Sequence, residues 1–265
     1  MTPMIYSKIK SIITQISKTF KLFDETPKTG RPRKITNIDA LSLYQHASTR
    51  ATKKSVYEDF KRVLQCSYKT LVVWMNKMGA VSLKLIGIIM QLGRQKQHLV
   101  KFTDSTDIPV CLKKNMDSHK TMKGLAGLGH STKGWYYGLK MTMTRDDEGR
   151  MLGIKFTQPS TNDRDIFRSI NKDIYGIIIA DAGYVSKQLE KDMNIENRRW
   201  ILIRPYKTMK RIMTTWQEQL YKGRFKIEFD FRDMKLFHGL ITSLPRSVDG
   251  YISNYMHALL SFVIA

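Results

Sequence analysis

The chain has 265 residues, enough to bury a sizeable core as one large domain or two smaller ones. Its 45 Lys+Arg against 23 Asp+Glu leave a formal net charge of +22, which favours a polyanionic partner, nucleic acid ahead of an anionic membrane surface, over most protein partners. Cys66 and Cys111 stand far apart without CxxC or Cys/His spacing, so they read as reduced structural thiols and not as a zinc module or disulfide framework.

Residues 1–23 place apolar residues at helical spacing with Lys between them, a short basic amphipathic helix that either docks on its own domain or touches DNA or membrane. They lack a continuous signal-peptide core, and no apolar run approaches the roughly 20 residues of a spanning helix, so the expected location is the cytoplasm, associated with the nucleoid. From Lys28 to Thr36, Gly30 and Pro32 forbid regular structure, while Lys28, Arg31, Arg33 and Lys34 crowd four cations into seven residues. Such an arm lies along phosphates or in a minor groove, or serves as a solvated linker. From Asp39 to Leu92 the pattern is helical. Ser55–Leu64, with an N-cap at Ser55, is followed by a break at Gln65–Ser67 and a second helix at Tyr68–Met78 capped by Ser67. Lys69, Thr70 and Lys77 on the second helix suit a helix-turn-helix reader, although any small helical bundle contains such pairs. The expectation is a helical DNA-binding region over residues 1–95, with Arg31, Arg33, Lys34, Lys69 and Lys77 as DNA contacts.

Beyond residue 96 strand signals appear. Leu99–Asp104 alternates like a strand and should end at Asp104-Ser105-Thr106-Asp107, before Pro109. Gly134–Thr144 and Met151–Gln158 are strand-like runs joined by the turn Asp146-Asp147-Glu148-Gly149, whose acids read as solvated turn residues. A three-stranded meander follows from these runs. Asp163–Ile170 reads as a helix with an acidic start, Ile177–Ala180 as a strand buried on both faces and stopping at Asp181, Ser186–Met193 as a helix and Trp200–Ile203 as another buried strand. The basic, aromatic stretch 204–219 precedes the last motif, and Tyr251–Ala265 is an apolar helix expected to close the core.

Tyr221–Lys235, read as one helix, places Tyr221, Arg224, Glu228 and Lys235 on a single polar stripe. Phe225, Phe229 and Leu236 flank it on one side and Ile227, Phe231 and Met234 on the other, with Asp230 and Asp233 toward solvent. Taken alone, this is an amphipathic helix with an Arg–Glu pair at i, i+4. Asp104 and Asp181, however, both fall at expected strand ends, where open α/β sheets bind ligands. If Asp104, Asp181 and Glu228 converge, the hard oxygen donors suit Mg²⁺, with Mn²⁺ as a substitute, for phosphoryl transfer.

These blocks resemble those of bacterial insertion-sequence transposases of the DDE type. The spacing Y-(2)-R-(3)-E-(6)-K is met in full by Tyr221, Arg224, Glu228 and Lys235. Asp104-Ser105-Thr106 matches a D-S-T block, Asp181-Ala182-Gly183-Tyr184 matches a D-x-G-Y block, and His119–Lys140 and Asn162-Asp163 resemble the segments between them. Met141 and Ala182 depart from residues frequent in relatives, His and Lys respectively. The resemblance implies an α/β fold: an RNase H-like mixed sheet flanked by helices over residues 96–265, preceded by a small all-helical DNA-binding domain. It implies Asp104, Asp181 and Glu228 as catalytic metal ligands, and Tyr221, Arg224 and Lys235 as DNA contacts. Its reaction would be Mg²⁺-dependent nicking of double-stranded DNA at terminal inverted repeats and transfer of the freed 3′-hydroxyl to target DNA by a homodimer or larger assembly. A non-catalytic DNA-binding protein, a decayed transposase and a nuclease that only cleaves are the alternative readings.

Overall fold

The long strand β1 (Val100–Leu112) organises the α/β part of the protein, because every other strand is reached through it. A computed structural model describes residues 4–23, 34–48, 52–184, 186–197, 199–203, 212–241 and 245–265. The chain divides into two units, one of Ile88–Arg232 and one of Met1–Gly87 with Asp233–Ala265.

In the first of these, β1 pairs antiparallel with β3 (Gly134–Asp146), whose far edge is shared by β2 (Gly127–Ser131) and β4 (Met151–Thr157). On its other side β1 pairs in parallel with β5 (Gly176–Ala180), which pairs in parallel with β6 (Arg199–Ile203). Four strands in antiparallel pairings, β1 to β4, followed by β5 and β6, which run parallel to β1 and are joined through helices, give the mixed sheet of an RNase H-like domain, as expected. The crossovers carry α6 (Asp163–Ile170), capped by the Asn162 side chain, and α7 (Lys187–Asn197). Phe167, Leu189 and Met193 from these helices pack with Ile178, Ala180, Ile201 and Ile203 of the parallel strands in one buried cluster. This burial on the helix-covered face explains the continuous apolar runs of β5 and β6.

Two expectations change here. β1 does not stop before Pro109: it continues to Leu112 through a register shift between Pro109 and Cys111, so the imino acid falls at an irregularity where its missing N–H costs little. Gly138 opposite makes that close pairing feasible, since a Cβ there would stand 2.2 Å from the Ile108 carbonyl oxygen. The Gly-rich segment containing His130 forms the strand β2. Asp146 is fully buried and not solvated, accepting bonds from the backbone N–H of Arg150 and His98 at 2.8 and 3.2 Å.

The other unit is helical. It contains α1 (Met4–Phe20), α2 (Asn37–Ser48), α3 (Lys53–Phe60), α4 (Tyr68–Lys77), the start of α5 (Gly79–Gln95) and α10 (Val248–Ile264). Ser67 caps α4 as expected, but α3 is capped by Thr52, whose side chain accepts from the Ser55 N–H. α10 packs into this helical core, against α2 and α4. Its His257 is buried, stacked on Tyr44 at 3.4 Å between centroids, and bonded to Ser82 at 2.8 Å and to the Met75 carbonyl at 3.0 Å. An apolar helix advertises burial without naming its partner, and residues 233–265 group with these helices. α4 and α5 together, Tyr68–Gln95, are long and apolar enough by length and composition to cross a membrane, contrary to expectation; the basic residues between their apolar positions hid this.

Candidate active site

Side chains alternate across a strand, and along β1 that alternation separates two jobs. Thr103 and Ser105 point toward the α6 side. Thr103 meets Thr144 at 2.7 Å, and Thr144 bonds to Asn171 at the end of α6 at 2.8 Å. Ser105 meets Thr142 at 2.7 Å and the Tyr184 hydroxyl at 2.8 Å. Phe102 and Asp104 point to the opposite face, as does Arg145, which is paired with Phe102 across the β1–β3 ladder. That face receives α8 (Thr215–Lys222), opened by a Thr214/Gln217 capping box, and α9 (Phe225–Leu236).

The expected single helix over 221–235 is therefore two helices. The chain tightens at Gly223-Arg224, where N–H groups bond three residues back: Arg224 to the Tyr221 carbonyl at 3.0 Å and Lys226 to the Gly223 carbonyl at 3.0 Å. Gly223 lies directly over the Phe102 ring, and a Cβ there would stand 2.7 Å from it. This approach sets α9 against β1. The Arg145 guanidinium donates to both oxygens of Asp230 at 2.8 Å, with both side chains largely buried. Asp230 thus anchors the helix and is not the solvent residue expected. Conversely, Phe225 and Phe229 are exposed, so this flank does not desolvate Glu228. Within α9 the buried face is centred on Ile227, Phe231 and Met234, and Asp230 borders it whereas Phe225 and Phe229 do not.

The three acid-bearing blocks are tied pairwise. Thr103 pairs with Ala180 across the parallel ladder, so Asp104 and Asp181 are the next residues along neighbouring strands, just where β5 ends. Ser105 and Tyr184 join the first two blocks at 2.8 Å. The Tyr221 hydroxyl donates to Asp181 at 3.3 Å, joining the second and third. Arg224 joins the third to the first, donating through one terminal nitrogen to Asp104 at 2.6 Å and through the other to Glu228 at 2.7 Å. Asp104 is 15% exposed and Glu228 43%. Burial pushes the Asp104 carboxyl up to about 6; the Ser105 N–H and Arg224 oppose the rise, and the charges of Asp181 and Glu228 add to it. Burial works against the Arg224 charge, but Asp104, Tyr221 and the other acids outweigh it and raise its pKa. Burial also raises Tyr184 above the usual phenol range. Ser105 and Tyr184 were not singled out as site-building residues, although both are letters of the motif blocks.

The donor set has the chemistry of a divalent-cation site. Three carboxylates stand around one guanidinium, and burial, with the neighbouring acids adding to it, holds the Asp104 carboxyl above its usual range. Among the described residues, no three His, Cys, Asp or Glu side chains converge closely enough to hold an ion as they stand; Arg224 lies between Asp104 and Glu228. The other expected contacts are dispersed. Lys235 is on the last turn of α9, about 10 Å along the axis from Glu228 at 1.5 Å per residue. Lys69 and Lys77 are exposed on α4 and Lys34 is exposed before α2. Arg31 and Arg33, and Arg204, Lys207, Lys210 and Arg211, lie outside the described residues. His130 packs edge-on against Trp135 and His119 against Tyr137. Met141 is buried in β3, and Asp163 pairs with Lys140 at 2.6 Å.

Residues 94–246 match the model of the transposase DDE domain family. No curated protein matches the sequence. Among solved structures, the chain is similar to the Mos1 transposase paired-end complex with left transposon end, at 11% identity over 84% of this chain and 85% of that one, with a TM-score of 0.26. It is also similar to a pre-cleavage Mos1 transpososome, at 10% identity over 95% of this chain and 84% of that one, with a TM-score of 0.27. TM-scores this low bear on no individual residue.

Proposed function

The chain belongs to the transposase DDE domain family, and from that premise we propose that it nicks DNA at the ends of an insertion sequence and joins the freed 3′ ends to target DNA, using Asp104, Asp181 and Glu228. The observation that carries this reading is the pairwise tying of the three motif blocks through Ser105–Tyr184, Asp181–Tyr221 and Asp104–Arg224. Asp104 and Asp181 are neighbours where β5 ends, and Arg224 and Tyr221 of the third block reach them.

Asp104, Asp181 and Glu228 would hold Mg²⁺ through carboxylate oxygens. When bound, the ion supplies Lewis-acid activation of the attacking oxygen and charge stabilisation of the leaving one. Asp104 is the most confined of the three, held by the Ser105 N–H at 2.8 Å, and it fixes the position of the site on the sheet. Tyr221 orients Asp181 and presents its ring beside the strand to be cut. Arg224 and Lys235 neutralise phosphates near the scissile bond, and the exposed Lys34, Lys69 and Lys77 add contacts along the duplex, so binding weakens steeply with salt. Two element ends must be held together, which calls for a dimer or larger assembly.

The test uses duplexes carrying the sequences that flank the coding region. Asp104→Asn, Asp181→Asn and Glu228→Gln should each lose Mg²⁺-dependent cleavage while still binding the duplex. Undiminished cutting by all three variants overturns the triad. Cleavage by the wild type without any joining of the cut ends overturns the strand-transfer step and leaves a nuclease.

A further inference from the structure

Arg224 is placed where a metal ligand's partner would be, and it uses both arms of its guanidinium to hold two different acids. We propose that Arg224 is the resident cation of the carboxylate cluster, that a divalent ion can take Asp104 and Glu228 together only after the guanidinium has left them, and that a DNA phosphate is what draws it away. This deepens the reading of Asp104, Asp181 and Glu228 as metal ligands and rests on it.

The geometry carries the exclusion. One terminal nitrogen lies 2.6 Å from Asp104 Oδ2 and the other 2.7 Å from Glu228 Oε1. The second oxygen of Asp104 already accepts the Ser105 N–H at 2.8 Å. A divalent ion held by both carboxylates would compete for the oxygens that the guanidinium engages and would meet a like charge there. Protonation chemistry offers no escape, because an arginine does not give up its charge in a protein. Exchange must occur by movement.

The local backbone suits such movement. Arg224 is the last residue of the turn between α8 and α9, not part of either helix, and its side chain is flanked by two rings. The guanidinium carbon stands 5.8 Å from the Tyr221 ring centre and 5.9 Å from that of Phe225. Tyr221 lies on the acid side, where it bonds Asp181, whereas Phe225 is exposed. A swing toward Phe225 would keep a cation–π contact while carrying the charge outward to where a phosphate backbone passes. Metal and DNA would then bind with positive coupling, each favouring the other by the same factor.

The experiment titrates Mn²⁺ into the full-length protein, with free ion followed by electron paramagnetic resonance, with and without a short duplex. Wild type should bind Mn²⁺ weakly alone and about tenfold or more tightly with duplex, within the range usual for coupled sites. Arg224→Gln should bind Mn²⁺ without DNA about as tightly as wild type does with it, and lose the coupling; Arg224→Lys, which keeps the charge but not the fork, should fall between. Thermal unfolding without metal checks that the variants fold, and Mn²⁺ should raise the melting temperature of Arg224→Gln more than that of wild type. If both Arg224 variants bind Mn²⁺ no tighter than wild type while Asp104→Asn abolishes binding, the exchange is refuted and the metal site stands. If Asp104→Asn and Asp181→Asn leave Mn²⁺ binding unchanged, the metal-site reading falls and the exchange with it.

Discussion

Replacing Gly223 by alanine tests whether the approach of the α8–α9 turn to β1 builds the site. The added Cβ would stand 2.7 and 2.9 Å from two atoms of the Phe102 ring and 3.1 Å from the Leu220 carbonyl oxygen. Phe102 is only 1% exposed, so the ring cannot yield into open space. Overpacking of this kind costs about 1–3 kcal/mol. Because residue 223 has ordinary right-handed geometry, alanine regains about 0.4–1 kcal/mol by restricting the unfolded chain. The net expectation is a loss of roughly 1–2 kcal/mol. Relief by lifting the turn would move Arg224 and Glu228 away from Asp104, two residues along the strand from Phe102, so cleavage should fall by more than the lost folded fraction explains. Urea unfolding and cleavage of flank-sequence duplexes measure the two effects. Gly183→Ala is the control: a Cβ there meets nothing within 4 Å, and stability should hardly change. Wild-type stability and full cleavage in Gly223→Ala would refute the reasoning.

Two further perturbations address the supports of the fold. Asp230→Ala leaves the largely buried Arg145 guanidinium without its carboxylate, a change expected to cost on the order of 3 kcal/mol, whereas Arg145→Met combined with Asp230→Leu should recover most of the loss. A double-mutant cycle by urea unfolding checks this, and a single variant within about 0.5 kcal/mol of wild type would remove Asp230 as an anchor of α9. In the helical unit, burial holds His257 down to about 3 from 6.5. The unfolded chain takes up a proton below 6.5 and the folded chain does not, so the contribution is present above 6.5 and is lost as pH falls toward about 3. The slope is about 1.4 kcal/mol per pH unit within that window. Helical unfolding followed between pH 7 and pH 4 should therefore show a weaker acid dependence in His257→Gln, and identical slopes would contradict the burial argument.

Much of the candidate site is legible in linear spacing because the chemistry requires particular residue types in short blocks. Asp104-Ser105-Thr106, Asp181-Ala182-Gly183-Tyr184 and the Tyr221–Lys235 signature could be read before any contact was known. The strands and crossover helices were also legible, since apolar runs such as Ile177–Ala180 and caps such as Asn162 and Ser67 are local signals. The facing of α9 was not. Asp230 looked solvated because its partner, Arg145, lies on a strand far away in sequence, and the turn at Gly223-Arg224 packs on Phe102, which is equally remote. The continuation of β1 past Pro109 likewise depends on a glycine in its neighbour strand.

The sequence by itself determined the charge, the alternating and helical elements and the identity of the acids, all properties of residue type and short spacing. Tertiary structure alone decided which acid is desolvated, which cation lies between the carboxylates and which core receives the last helix. Those outcomes depend on what stands opposite a side chain across the fold, and neither burial nor an ion pair exists until two distant segments meet.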